Sequence, residues 1–153
     1  MNQKILFVCL GNICRSPLAE GIALHYIKKH NLPYHVDSAA IAPYHIGECP
    51  DTRTIKNAQK HDINLKSLVA RQFKKEDFIT FDKIFVMDQS HYTHLEQICE
   101  NKIIFKEKVD YLMNVLYPNK NIEIPDPYYG TEQNFEEVFQ MVHSACKKAL
   151  HLE

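Results

Sequence analysis

The chain has 153 residues, 45% apolar and 24% charged, with 18 Lys and Arg against 19 Asp and Glu for a net charge of −1. That balance fits one globular domain burying its own core, and excludes a disordered tail, a collagen-like repeat and a coiled coil. It offers no basic excess to a nucleic acid. The longest apolar run, Ile5–Leu10, falls well short of the ~20 residues a membrane helix needs.

Lys4–Leu10 is a short aliphatic run of the kind that forms a strand buried on both faces, and Gly11-Asn12 ends it too early for a secretory signal. From Ser16 to His30 the apolar residues Leu18, Ile22, Ala23, Tyr26 and Ile27 recur at helical spacing. Ser16 is the expected N-cap and Pro17 the first helical residue. A strand over Tyr34–Ser38, a helix over Thr52–His61, a strand over Lys83–Met87 and a helix over Ser90–Ile98 follow. Lys102–Phe105 is expected as a further strand, and Phe135–Leu150 as the closing helix. The pairs Lys28-Lys29 and Lys147-Lys148 suit solvated helix faces.

Strands alternating with helices predict a parallel sheet covered on both faces. The expected fold is a single α/β domain over residues 1–153, a three-layer αβα sandwich on a four-stranded parallel sheet of flavodoxin or Rossmann type. Ligands of such sheets gather at the carboxyl ends of the strands, which directs attention to the loop after the first one.

That loop runs Cys9-Leu10-Gly11-Asn12-Ile13-Cys14-Arg15-Ser16. Gly11 and Asn12 tolerate positive φ, so successive N–H groups can turn inward as an anion nest at the amino end of the next helix. Arg15 supplies a planar fork matched to two phosphate oxygens. The same positive field favours a Cys9 thiolate, a nucleophile needing no adjacent base, with Ser16 placed to donate to it. The spacing fits neither a Walker A loop nor a dinucleotide fingerprint. Pro125-Asp126-Pro127 holds one carboxyl on a stiff backbone, a candidate general acid opposite the thiolate. Five cysteines point to free thiols in a reducing, cytoplasmic setting. His91 and His94 stand at i, i+3 spacing, but no Cys or carboxylate cluster completes a metal site, and no metal or other cofactor is expected.

The segment Val8-Cys-Leu-Gly-Asn-Ile-Cys-Arg-Ser-Pro17 resembles the phosphate-binding loop of low-molecular-weight protein tyrosine phosphatases. The resemblance continues through Asp37-Ser-Ala-Ala40, Tyr44-His-Ile-Gly47, Asp51-Thr-Arg53, Ala70-Arg-Gln72, Phe81-Asp82, Met87-Asp88 and Asp126-Pro-Tyr-Tyr-Gly130. It implies a phosphatase in which Cys9 attacks, Asp126 serves as acid and then base, and Arg15 and the N–H groups of residues 10–16 hold the phosphate. Phosphotyrosine proteins and small aryl phosphates are the implied substrates, inorganic phosphate the product or inhibitor, and a monomer or weak self-association the implied state. Ile13, Tyr44, Tyr128 and Tyr129 would line the substrate cleft. Relatives acting on phosphoarginine carry Thr at the Ile13 position. Cys14 is implied as a redox partner of Cys9, while Cys49, Cys99 and Cys146 are expected to be structural. Arsenate reductases of this fold need a further cysteine pair after the third strand, where Met87–Leu95 has none.

Two departures stand out. The family often places His where this chain has Leu68, and that ring helps hold the loop Asn, so Asn12 needs another support, for which Ser38 is the candidate. Family members also often carry Asn where this chain has His91.

Overall fold

A computed structural model describes residues 2–153. The elements in chain order are β1 (Gln3–Cys9), α1 (Arg15–His30), β2 (Tyr34–Ala40), α2 (Thr52–Lys60), α3 (Asp77–Thr80), β3 (Lys83–Val86), α4 (Gln89–Ile98), α5 (Lys102–Lys108), β4 (Val109–Tyr111), a 3-10 turn (Leu112–Val115) and α6 (Glu132–Ala149). The four strands are parallel in the order β2-β1-β3-β4.

β1 lies inside this sheet, and its alternating side chains feed two cores. Ile5, Phe7 and Cys9 pack with Leu18 and Ile22 of α1 and Val138, Phe139 and Val142 of α6. Leu6 and Val8 pack on the opposite face with Phe78, Leu95 and Phe105. Burial on both faces explains why β1 is an unbroken apolar run, and the helices on both sides make the three-layer α/β fold. β2 and β3 pair with opposite edges of β1, so the loop after Cys9 opens where the connections diverge to the two sides of the sheet.

The sequence expectation for Lys102–Phe105 is overturned. That segment begins α5, and the fourth strand is Val109–Tyr111. Asn101 caps the helix, its Oδ1 accepting from the N–H groups of Ile103 and Ile104 at 3.0 and 3.1 Å. A four-residue apolar run carries no usable period, and the cap decides in favour of helix. α6 starts at Glu132, three residues earlier than expected, because Thr131 and Asn134 form a reciprocal cap.

Gly21 is required by a close approach. A Cβ there would lie 2.1 Å from Cδ2 of Leu65, a fully buried side chain. Gly21→Ala gains about 1 kcal/mol of helix propensity. Overpacking costs about 1–3 kcal/mol and wins where the neighbour cannot withdraw to solvent. The variant is expected to unfold at lower urea concentration, and equal or greater stability would contradict this packing.

Candidate active site

The loop leaves β1 and enters α1 as anticipated, but its atoms are placed differently in two respects. Only Asn12 takes positive φ, at 58°. Gly11 is needed instead for space, since a Cβ there would stand 3.0 Å from the His45 ring. Ser16 is not the N-cap. α1 begins at Arg15, and the Ser16 hydroxyl lies 2.9 Å from Cys9 Sγ, while its backbone N–H donates to the same sulfur at 3.4 Å. Pro17 still occupies the first turn, where a missing N–H costs nothing.

The loop carbonyls are drawn outward. Those of Cys9, Leu10 and Ile13 accept from the N–H groups of Ile41, Ala42 and Asp51 at 2.8–3.0 Å. Asn12 ties the loop to its surroundings. Its Nδ2 donates to Ser16 Oγ at 2.7 Å and Ser38 Oγ at 2.8 Å, and its Oδ1 accepts from Arg71 N at 3.0 Å. Ser38 thus supplies the support that Leu68 cannot, and the Arg71 backbone adds a second tether. These bonds hold a left-handed Asn that a free chain would occupy only part of the time.

Arg15 is buried at the loop's end. Its Nη1 donates to Asp88 Oδ2 at 2.9 Å and to the Ile124 carbonyl at 2.8 Å. Its Nη2 lies 3.4 Å from His91 Nε2 and 3.7 Å from Asp126 Oδ2. Burial alone would raise the Asp88 carboxyl, but the Ser90 hydroxyl, His91 and Arg15 outweigh it and hold it at about 2. Burial, with the Arg15 charge beside it, pushes His91 down to about 4, so the ring is neutral at physiological pH. Met87 N donates to His91 Nδ1 at 3.3 Å. With Nδ1 accepting, the ring proton sits on Nε2, so the 3.4 Å approach of Arg15 Nη2 is a contact between two donors and not a hydrogen bond; His94 does not join them.

Ile124 explains how Asp126 arrives. Its N–H donates to the Met87 carbonyl at 2.8 Å and its own carbonyl holds Arg15, which pins the 116–131 segment over the loop. Asp126 stands two residues further on, its Oδ1 accepting from Tyr128 N at 3.0 Å. A cleft of about 270 Å³ is lined by Cys9, Ile13, Arg15, Tyr44, Asp126 and Tyr128, among others. Tyr129 and Tyr44 stand at the mouth, 96% and 72% exposed. Tyr128 is propped from behind by the Arg53 guanidinium, 5.2 Å from its ring. A larger groove of about 880 Å³ lies against Gln3, Lys83 and Asp110, without a nucleophile beside a buried cation.

The structure brings together Cys9, Arg15, Asp126, Ile13, Tyr44, Tyr128 and Tyr129. Asp88, His91, His45 and the Ile124 carbonyl were not singled out for this site from sequence. The usable signal was position, because Asp88 directly follows β3 at the carboxyl edge of the sheet. Cys14 is a buried thiol pushed up to about 12 by burial, with the Thr54 hydroxyl opposing that shift and the charges of Asp51 and Cys9 adding to it. Cys99 and Cys146 are buried, but Cys49, expected to be structural, is exposed. It lies in a segment without regular structure beside the cleft, where no core forms around it.

The model of the low molecular weight phosphotyrosine protein phosphatase family matches residues 4–152. The human low molecular weight phosphotyrosine protein phosphatase is 41% identical over 150 residues, covering 97% of this chain and 94% of its own. A protein tyrosine phosphatase from Entamoeba histolytica superposes with a TM-score of 0.88 at 37% identity, covering 98% and 96% of the two chains. Vibrio vulnificus Wzb, solved in complex with benzylphosphonate, superposes with a TM-score of 0.84 at 25% identity, covering 99% of each. A Cys9–Arg15 loop of this geometry in a chain of this likeness leaves one conclusion: the chain belongs to the low molecular weight phosphotyrosine protein phosphatase family.

Proposed function

We propose that this protein hydrolyses phosphotyrosine in phosphoproteins, and small aryl phosphates, through a cysteinyl-phosphate on Cys9. The observation that carries this is the placing of Cys9, Arg15 and Asp126 in one cleft, with Cys9 Sγ 2.9 Å from a hydroxyl donor. Cys9 sulfur attacks phosphorus, the bond to the aryl oxygen breaks, and Asp126 gives that oxygen its proton. The Asp126 carboxylate then takes a proton from water as the water attacks the thiophosphate. Inorganic phosphate leaves and the thiolate is restored. Arg15 and the N–H groups of residues 10–16 hold the nonbridging oxygens, whose charge changes little in position during the transfer.

Ile13 and the rings of Tyr44, Tyr128 and Tyr129 give the cleft apolar walls suited to an aryl ester. Arsenate reduction is disfavoured by the position of Cys99. Its Sγ donates to the Asn101 carbonyl among the Phe78 and Phe105 core, on the opposite face of the sheet from Cys9. Cys14 is read as the thiol that would condense with a peroxide-generated sulfenic acid on Cys9, releasing water and sparing the sulfur from further oxidation. All five cysteines are free thiols, which supports a reducing, cytoplasmic place of action. No described helix is long and apolar enough to cross a membrane.

The test is hydrolysis of a phosphotyrosine peptide and of p-nitrophenyl phosphate with chelator present, beside phosphoarginine. Turnover of the aryl esters is expected, with phosphoarginine slow. Asp126→Asn is expected to lower kcat by about 10²–10³ on the peptide and by less on p-nitrophenyl phosphate. p-Nitrophenolate leaves more readily without a proton. No aryl phosphate turnover in freshly reduced protein would end the proposal.

A further inference from the structure

The hydrogen bonds that fix the loop do not stop at Ser38. The Ser38 hydroxyl donates to Glu20 Oε1 at 2.6 Å. Glu20 lies one turn beyond Ser16 on α1, half-buried, and takes no part in the steps above. With Glu20 ionised, the links from Glu20 to Cys9 have only one self-consistent set of donors and acceptors. An ionised carboxylate has no proton to give, so the Ser38 proton must point at Glu20. The Ser38 oxygen is then free to accept from Asn12 Nδ2 at 2.8 Å. Asn12 Oδ1 is committed to Arg71 N, which fixes the orientation of the amide. Its Nδ2 also donates to Ser16 Oγ at 2.7 Å, leaving the Ser16 proton one destination, the Cys9 sulfur at 2.9 Å.

We propose that Glu20 is a positioning residue for Cys9: as the terminal acceptor of the Ser38–Asn12–Ser16 chain, it holds the Ser38 proton away from Asn12 and so keeps, together with the Arg71 N–H on Asn12 Oδ1, the polarity that aims the Ser16 hydroxyl at the sulfur. The catalytic consequence rests on Cys9 being the nucleophile of the proposed phosphatase, whereas the polarity itself does not. Without an acceptor at position 20, the Ser38 proton turns toward Asn12 and competes with the Arg71 N–H for Oδ1. A rotated Asn12 amide then draws the Ser16 proton away from sulfur.

The link can be titrated. Burial raises the Glu20 carboxyl to about 7, with Asp37 adding to it and with the Ser38 bond and Arg71 opposing it. Asp37 faces it from β2 and Arg71 from the 61–76 connection. At the other end, Cys9 shares its surroundings with Arg15, Cys14 and Asp126. Both forms of Glu20 are populated near neutral pH, so its ionisation should be felt along the chain.

The experiment uses the full-length, reduced, ¹⁵N-labelled protein. The Asn12 side-chain amide resonances are expected to titrate with a midpoint at about pH 7 in the wild type. They should stay flat in Glu20→Gln and in Ser38→Ala. Ser38→Ala keeps the Glu20 charge and removes only the link, so an unchanged titration there would mean a through-space field and would overturn the proposal. A flat wild-type signal would overturn it as well. Glu20→Gln keeps an acceptor and Glu20→Leu does not. The Cys9 thiolate, followed by ultraviolet absorbance, should form at a pH about half a unit higher in the Leu variant, about a threefold change in thiolate-to-thiol ratio. Loss of charge alone moves both variants equally, and that result would sink the idea. Neither readout requires turnover. A titrating Asn12 in a protein inactive on p-nitrophenyl phosphate would uphold the proton chain and remove the phosphatase reading.

Discussion

Cys9→Ser is expected to lower kcat on a phosphotyrosine peptide by about 10⁴–10⁶ while leaving the fold and phosphate binding in place. The reason lies in what surrounds the sulfur. The Ser16 hydroxyl and the Ser16 N–H lie 2.9 and 3.4 Å away, and the second is only a donor. With Asn12 Nδ2 already donating to the Ser16 oxygen, the Ser16 hydroxyl faces the sulfur as a donor too. A thiol in such a place can lose its proton to solvent, and the Ser16 hydroxyl and N–H then donate to the anion. A serine hydroxyl there has donors facing it and no base to take its proton. In the proposed reaction Asp126 cannot take over, since it is the group that gives the aryl oxygen its proton. The substitution removes little volume, and the remaining Cys9 partners are backbone groups and Ser16, so thermal unfolding should move only slightly. Inorganic phosphate should still perturb the N–H resonances of residues 10–16. Residual turnover within tenfold of wild type would mean that another group attacks phosphorus.

The residues from Cys9 to Ser16 could be understood from sequence because adjacent positions carry every requirement of the chemistry there. A thiol, a left-handed turn, a forked cation and a hydroxyl follow one another within a single strand-to-helix connection. Periodicity is strong over α6, weak over α1, whose first half is buried nearly all round, and absent over Lys102–Phe105, where the Asn101 cap decided the outcome. The support of Arg15 was out of reach for a different reason. Asp88 caps α4, His91 lies on that helix, and Ile124 sits in a connection without regular structure, so no local pattern joins them. Only the sheet order, which places the end of β3 beside the end of β1, brings them to the guanidinium. The Ser38 support was foreseeable because removing His from the Leu68 position left Asn12 needing a partner. The Glu20 continuation was not, since a glutamate on a helix more often faces solvent.

Arg15→Lys is expected to lower kcat by about 10³ despite keeping the charge. Arg15 serves the fold with one part of its fork, Nη1 donating to Asp88 and to the Ile124 carbonyl, which leaves the rest of the guanidinium edge facing the anion site. Lys has one nitrogen on a mobile stem and no second arm. If that nitrogen stays with Asp88, whose carboxylate is held ionised at about 2, the phosphate loses its bidentate partner. If it turns to the phosphate, Asp88 is left half-buried without its cation and the Ile124 carbonyl without a donor. The first arrangement should win, because removing one partner of a buried charge pair costs about 3–5 kcal/mol. The protein then folds, binds phosphate weakly and turns over slowly. The loss should fall mainly on kcat, since the fork grips equatorial oxygens whose geometry it matches best at the transition state. Releasing Ile124 should also loosen the segment that carries Asp126, so Arg15→Lys combined with Asp126→Asn should cost less than the product of the two single losses. Steady-state kinetics on a phosphotyrosine peptide for the two single variants and the double variant would measure this. A Lys variant within tenfold of wild type, or strictly multiplicative losses, would show that the charge alone matters and that the fork does not tie the loop to the acid.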